Sequence, residues 1–417
     1  MLRQIALTAG TRVGLIVFGL ATSIVTARFL GSGGRGDYFF MVTLGALIAQ
    51  FANLGLPVSN TYFAARDPQR TPQLVANALW ISLGVGGGIG VGVALFAHAA
   101  GMLQDTPPRY LWIAAALAPP SLFYLLATAI LIGRGQIRSF NALELAFRAV
   151  LVPALVAAGL VGLGASGFVA VSVVVWVAGC AAAALLVGRY ARLAFAPSRE
   201  LLVVGFRYAT KSYLITLLAF VALRGNIFLL RREFGPADLG LYSIAVQIAD
   251  VLTILPQAVA LILFPHLVRD ASERWERTLR AAFWVAGIMV VVCALAAVFS
   301  GPVIRLLYGD EFELSTRVLQ IMLPSVFALA VSTVLSQYLG AIGVPRPLLG
   351  VWAAGVALVL ALSFWLIPDH GAAGAAAAIS AANLAILGGV AVTAYVYRNA
   401  EPRGPRPLAD GEPVTPA

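Results

Sequence analysis

Apolar stretches, each about as long as a bilayer is thick, fill this chain almost from end to end. A membrane-crossing helix takes roughly 20 mostly apolar residues, and 13–27, 165–187, 281–299 and 347–366 are the clearest segments of this kind. Sixty per cent of the 417 residues are hydrophobic and only 11% are charged. That balance excludes a water-soluble domain. The longest polar gaps, near 189–200, 267–280 and 300–313, are too short to fold on their own. Whatever the chain does, it does within or across a membrane.

The pattern predicts an all-α integral membrane protein of about twelve transmembrane helices, at 5–29, 37–63, 73–99, 109–132, 138–161, 165–188, 203–230, 238–266, 278–299, 314–341, 346–367 and 371–397. The first segment is expected to be a retained helix: Arg12 interrupts its apolar core and no small-residue cleavage motif follows. Residues from Glu401 onward, rich in Pro and Gly, read as a disordered tail covering 399–417.

Of the 28 cations, 27 are arginine. Taking alternate loops and both termini as one side places sixteen arginines there, against seven on the other. Cation-rich short loops stay in the cytoplasm. Both termini are therefore expected to be cytoplasmic. The net charge of +10 then reflects topology and contact with anionic lipid, and nucleic acid is not among the expected partners.

An internal repeat runs through the chain at an offset of 203–207 residues. Gly31-Ser-Gly-Gly-Arg-Gly36-Asp-Tyr38 matches Gly235-Pro-Ala-Asp-Leu-Gly240-Leu-Tyr242. Ala65-Arg66-Asp67 matches Val268-Arg269-Asp270, Leu131-Ile132-Gly133 matches Tyr338-Leu339-Gly340, and Gly164-Ala-Ser-Gly167 matches Gly371-Ala-Ala-Gly374. Six helices per copy is an even number, so the two copies enter the membrane from the same face. The expectation is two parallel six-helix bundles, 1–190 and 201–398, joined by a cytoplasmic linker at 191–200, with a cavity between them that rocking opens to alternate sides.

Charges within the predicted spans are costly and need protein, water or ligand around them. Five are cations, Arg12, Arg148, Arg207, Lys211 and Arg224, against two acids, Glu144 and Asp250. The excess of positive charge suits an anionic ligand. Arg12, with no acid near it in sequence, and Lys211, the only lysine, are candidates to hold one. Arg224 and Asp250 flank the hairpin near 235 at similar depth, either as a structural pair or as a site where protonation of Asp250 frees Arg224. Glu144 and Arg148, spaced i, i+4, can pair along one helix face. Gln50, Asn53 and Asn60 form a polar stripe in the second helix, and Gln247, Asp250 and Gln257 another in the eighth, lining a wet cavity or hydrogen-bonding between helices.

Gly55-Leu56-Pro57, Pro119-Pro120, Pro256, Pro265 and Pro324 mark expected kinks. Gly84, Gly88 and Gly92 share a face as packing glycines do. Cys180 and Cys293 read as packing residues, and His98, His266 and His370 are dispersed without metal-ligand spacing. No nucleotide-binding loop, nucleophile elbow or zinc-protease motif occurs. No enzyme activity, cofactor or metal is expected.

Ala27-Arg28-Phe29-Leu30-Gly31 through Gly36 and Tyr38, then Leu54-Gly55-Leu56-Pro57, resembles the opening of the bacterial polysaccharide repeat-unit flippases, the Wzx-like (O-antigen type) members of the multidrug/oligosaccharidyl-lipid/polysaccharide (MOP) exporter superfamily. Gly240-Leu-Tyr242-Ser-Ile-Ala245, Leu255-Pro256, Phe264-Pro265 and Gln337-Tyr338-Leu339-Gly340-Ala-Ile-Gly343 extend the likeness into the second half. The resemblance implies a V-shaped pair of bundles that moves undecaprenyl-diphosphate-linked sugars between leaflets of a bacterial inner membrane. It also implies a cavity lined by helices 1, 2, 7 and 8, which here carry Arg12, Gln50, Asn53, Lys211, Arg224 and Asp250. The implied partners are the lipid-linked anionic oligosaccharide and membrane lipids, together with polysaccharide polymerase and glycosyltransferases. The coupling ion would be a proton or Na+. A multidrug antiporter of the same superfamily, or a non-catalytic scaffold of an assembly complex, stays open as an alternative.

Overall fold

The computed structural model describes residues 2–99, 106–190, 195–269 and 273–399. Most of the tail expected to be disordered and residues 191–194 of the linker lie outside these. So do the side chains of residues 2–9, Arg12, Leu261, Pro265, Val268 and Arg269.

Thirteen α-helices make up the described fold. These are α1 (Leu2–Ala52), α2 (Leu56–Arg66), α3 (Thr71–Trp80), α4 (Gly87–Ala99), α5 (Pro108–Gly133), α6 (Ile137–Leu160), α7 (Ala165–Gly188), α8 (Arg199–Arg224), α9 (Asn226–Leu252), α10 (Ile254–Arg269), α11 (Arg274–Tyr308), α12 (Ser315–Ala341) and α13 (Arg346–Val396). A π-helical stretch, Ile81–Gly86, runs α3 into α4. There is no strand among the described residues.

Nine helical segments among the described residues are long and apolar enough to cross a membrane. Three of them, Val13–Ala52, Arg199–Phe264 and Arg346–Val396, run to 40, 66 and 51 residues. At 1.5 Å per residue the shortest of these is about 60 Å, twice the hydrocarbon thickness. Each is bent at one non-helical glycine: Gly31 (φ 65°), Gly235 (φ 75°) and Gly371 (φ 53°). The expectation of twelve spans counts each of these three segments as two. The segment 30–36, expected to be a loop, is instead helix on both sides of Gly31, because only that residue leaves helical geometry and glycine alone takes positive φ without strain. Gly31 and Gly235 are mates in the sequence repeat and bend in the same way.

Two expected helices are broken in mid-course. The second stops at Ala52 and restarts at Leu56, where Gly55 adopts φ 75° and Pro57 sits in the first turn of α2. The eighth is divided at Thr253 between α9 and α10. The freed groups at the first break are satisfied locally: Gly55 N–H donates to Asn53 Oδ1 at 2.8 Å.

The first half packs α1 and α2 on α5, and α5 and α6 on α7. The second half packs α12 against α11, α10 and α13. Large apolar side chains such as Phe283, Trp284, Leu306 and Phe364 face outward. Lipid is as apolar as they are, so helix association depends on close packing and hydrogen bonds instead. The interiors are accordingly rich in alanine, with Ala114, Ala118 and Ala127 in the first half and Ala375, Ala376 and Ala378 in the second fully buried.

Between the halves the most extensive contact is α1 against α9. A Cβ on Gly36 would lie 1.8 Å from the Pro236 carbonyl oxygen, and one on Gly240 would lie 2.0 Å from that of Ser32. Ser32 and Pro236 are themselves repeat mates, as are Gly36 and Gly240, so the contact is two-fold in character. Toward the linker end, α2 meets α8. Here Tyr62 stacks on Tyr208 at 4.7 Å, Tyr213 donates to the Phe51 carbonyl at 2.8 Å, and Gly55 packs on Ala209. The described linker residues are strapped to α3: Ser198 and Asn77 exchange two hydrogen bonds (2.7 and 3.1 Å), and Trp80 donates to the Phe195 carbonyl at 2.8 Å.

Candidate functional site: an inter-half groove and its polar neighbours

Where α8 gives way to α9, at Gly225, the two halves leave an apolar groove of about 530 Å³. Its walls are Leu44, Leu47, Ile48 and Phe51 of α1, Ile89, Val93 and Phe96 of α4, and Phe228, Leu229 and Phe364 of the second half. Arg232 is the one charged residue in this wall, and Asn226 and Ser363 are its uncharged polar members. The α1 helix can present this face because its bend at Gly31 turns residues 32–52 back along α9.

Next to Gly225, the Arg224 guanidinium meets Asp250 across α8 and α9 with Nη2 to Oδ2 at 2.6 Å. The arginine side chain is mostly buried (19% exposed) while the aspartate is 54% exposed. The pair thus has one desolvated end and one open end, an arrangement in which the acid can be reached while the cation is held. Behind it lies a fully enclosed polar pair: Asn226 Nδ2 donates to the Tyr242 hydroxyl at 3.1 Å and to the Ala375 carbonyl at 3.2 Å. The Arg224–Asp250 pair occurs in one half alone. By the offset of 204, the repeat mates of Arg224 and Asp250 are Leu20 and Ala46.

The other expected site residues divide. Lys211, on α8, is exposed and makes no ion pair among the described residues. Gln50 and Asn53 meet one another, Asn53 Nδ2 donating to Gln50 Oε1 at 3.0 Å. Asn53 is buried and its carbonyl oxygen is already engaged by Gly55, so the α1–α2 break uses it. Asn60, expected on the same stripe, donates to the Leu126 carbonyl at 3.4 Å inside the first half. Arg12 lies on α1, and its side chain is outside the described residues.

Glu144 and Arg148 depart from expectation: the i, i+4 ion pair is not formed among the described residues. Arg148 lies over the Phe147 ring at 5.9 Å with Nε buried and unpartnered, while Glu144 faces the Tyr124 hydroxyl. The aromatic cluster of Tyr124, Phe147 and Trp176, with centroids 4.5–5.4 Å apart, draws the guanidinium onto a ring face and away from the acid. This group sits between α5, α6 and α7, inside the first half and away from the groove.

Three cations that the sequence places in loops or at a helix end lie at the contact between the halves. Arg231 is buried against Asp37 at 2.6 Å, joining α9 to α1. Arg28 donates to the Leu306 and Leu307 carbonyls at 2.7 and 2.9 Å, at the C-terminal end of α11 where a cation is favoured. Arg35 is 3% exposed and donates to hydroxyls alone: Thr26, Ser23 (3.3 Å) and Ser243 (3.1 Å). The repeat carried a signal for it, since the mate of Arg35 is Leu239, an apolar residue with 0% exposure.

Comparison with known proteins places this architecture. The sequence profile of the family described as "Polysaccharide biosynthesis protein" matches residues 2–270, more than half of the chain, and the MatE profile matches 214–365. A putative O-antigen transporter of Shigella flexneri is 22% identical over 152 residues, spanning 36% of this chain and 36% of that protein. An inward-facing multidrug resistance MATE family transporter of the MOP superfamily superposes with a TM-score of 0.74 at 18% identity, covering 93% of this chain and 96% of that one. The lipid II flippase MurJ, in an inward closed conformation, gives 0.72 at 12% identity, with 95% and 88% covered. An outward-facing MATE family transporter gives 0.66 at 18% identity, with 95% and 97% covered. The chain has the fold of the MOP-superfamily transporters, and it belongs to the polysaccharide biosynthesis protein family.

Proposed function

We propose that this membrane transporter is a flippase that moves a lipid-linked anionic oligosaccharide from the cytoplasmic to the outer leaflet for surface polysaccharide export. The observation that carries the reading is the one-sided placement of charge. Along α8, Lys211 is exposed and Arg224 is mostly buried yet paired with an accessible acid, and an apolar groove between the halves begins one residue further on. A diphosphate-bearing lipid has the matching chemistry, an anionic head for the cations and an apolar tail for lipid-facing walls.

In this mechanism the head is drawn onto Lys211, Arg224 and Arg12 while the tail stays in lipid. Protonation of Asp250 releases Arg224 to the ligand, and rocking of the halves, 1–190 against 201–398, delivers the head to the far side. A proton is the simplest coupling ion, with Na+ as the alternative. Both termini are cytoplasmic in this orientation, which puts the Gly31 and Gly235 bends on the outer side. Polymerase and glycosyltransferases of the same pathway would act before and after the flip. The purified protein in liposomes, given a fluorescent polyprenyl-diphosphate oligosaccharide on one leaflet, tests the reading. Protein-dependent transfer that fails in Arg224→Gln supports it, and transfer equal to protein-free liposomes overturns it.

The MatE match over 214–365 favours one second reading, a multidrug antiporter. Ion-driven uptake of a cationic dye into the same liposomes, without oligosaccharide transfer, would select it.

A further inference from the structure

Arg35 is a buried guanidinium that pairs with no carboxylate among the described residues. Four arginines lie at the bent ends of α1 and α9, and one of them, Arg232, is exposed beside Glu233 at 3.7 Å. Arg28 is spent on helix-end carbonyls and Arg231 on Asp37. Arg35 has no carboxylate within 4 Å; it is held by the hydroxyls of Thr26 and Ser23 on α1 and Ser243 on α9, and by the Tyr38 ring at 5.8 Å. Tyr308 completes the surround, its hydroxyl donating to Ser23 at 3.3 Å. Burying a cation without a counter-charge is unfavourable, and replacing buried charge with a well-packed apolar residue is often neutral or stabilising. The chain itself has that replacement: the repeat mate is Leu239, buried in the other half. The fold therefore accepts leucine at this register, and packing does not account for the arginine.

Its position suggests what does. Arg35 precedes Gly36, whose approach to Pro236 closes the seam between the halves, and one of its three hydroxyl partners, Ser243, belongs to the opposite half. Parting α1 from the second half removes Ser243 and Tyr308, admits water and uncovers the guanidinium, and the contact of Arg28 with the α11 carbonyls, which crosses the same seam, parts with it.

We infer that Arg35 is a release-side anion site, hidden while the α1–α9 seam is closed and exposed, when it opens, to bind a phosphate or diphosphate group. The inference rests on the proposed flippase reading for the direction of travel. In that setting the diphosphate head passes from the cations of α8 to Arg35 as the seam parts, so binding at the far side favours the open state. A ligand shifts a two-state equilibrium only by its differential affinity for the two states, and a site that is absent when the seam is closed gives that difference its full value.

Spin labels on Gly33→Cys and Ala237→Cys, repeat mates on either side of the seam, report its opening; a Cβ at Gly33 meets nothing within 4 Å and Ala237 is exposed. Cys180 and Cys293 are replaced by alanine in this background. Inorganic pyrophosphate added to the full-length protein in nanodiscs is expected to raise the long-distance population several-fold. The rise is expected to disappear in Arg35→Leu and Arg35→Gln and to persist, weaker, in Arg35→Lys. An unchanged response in Arg35→Leu overturns the inference, as does the absence of any response in the parent protein. A seam that stands open in Arg35→Leu without pyrophosphate also overturns it, because the arginine would then only hold the halves together. The readout needs no glycan, so a pyrophosphate response without oligosaccharide transfer leaves the anion site standing and removes the flippase reading.

Discussion

At the scale of single residues, the chain distinguishes buried polar groups that are satisfied from those left with spare valence. Asn226 and Tyr242 satisfy each other in a fully enclosed position. Asn226→Leu keeps the volume but leaves the tyrosine hydroxyl without its partner, at a cost of about 1–3 kcal/mol. A fall in the thermal unfolding midpoint of the detergent-solubilised protein is the expected result, and an unchanged midpoint would mean that water takes the place of the amide. Arg224 and Asp250 have a different logic, since the acid is half exposed and the cation is not. Asp250→Asn is expected to leave the fold intact, reduce transport at least tenfold and flatten its dependence on an imposed pH gradient. Equal transport with the gradient dependence retained would show that the pair is only a brace. None of this could be read from residue type alone. Glu144 and Arg148 have the spacing of an ion pair, yet a nearby cluster of rings separates them.

At the scale of helices, the two bends at Gly31 and Gly235 and the close approach at Gly36 and Gly240 decide how the halves meet. Gly33→Ala and Gly36→Ala are the same chemical change three residues apart. The first adds a methyl group to open space, and the second drives it into the Pro236 carbonyl. Gly33→Ala is expected to change stability by less than about 0.5 kcal/mol. Gly36→Ala is expected to cost about 1–3 kcal/mol and to speed modification of Ser243→Cys by a membrane-impermeant maleimide. Equal labelling rates in the two variants would show that the seam relaxes without opening. The same corner carries a charge interaction outside the apolar spans. Glu311 Oε1 accepts from the Ser32 amide at 2.7 Å, at the first turn after the Gly31 bend, and the Ser32 hydroxyl, with this amide second to it, holds the carboxyl below the usual value of 4.5. A carboxyl lowered in the folded state contributes stability above its unfolded value and loses it as pH falls through the folded one. The seam should therefore loosen below about pH 4.5, and Glu311→Gln should loosen it at neutral pH with a smaller further change on acidification, as followed by the same labelling rate.

At the scale of the whole molecule, the two halves are joined by the seam at one end and by the α2–α8 contact and the linker strap at the other. Both attachments are non-covalent and span helices that are complete within their own half. A chain divided after Tyr190 and expressed as two fragments is expected to co-purify as one complex. Asn77→Ala with Trp80→Phe, which removes the hydrogen bonds to Ser198 and Phe195, is expected to weaken that association. Fragments that never associate would show that the covalent linker, and not packing, holds the halves in register.

The apolar runs alone determined that the chain is an all-helical membrane protein, because a bilayer leaves few ways to satisfy backbone hydrogen bonds. The glycines that bend α1 and α9 were also legible, through their recurrence at a fixed offset, as was the break at Gly55-Leu56-Pro57. The partnership of Arg224 with Asp250 could be named as one option from their matched distances to Gly235. Tertiary structure alone decided the rest. Arg35, Arg231 and Arg28 belong by sequence to a glycine-rich turn and loop ends, and by structure to the interface between halves. Asn53 belongs by sequence to a polar stripe, and by structure to the repair of a broken helix. The physical reason is the same in each case. Hydropathy and spacing report which segments leave water, a property of each helix by itself, whereas the partner of a buried polar group is chosen by how the chain packs: for the three arginines by chain some two hundred or more residues away, and for Asn53 by the break in its own helix.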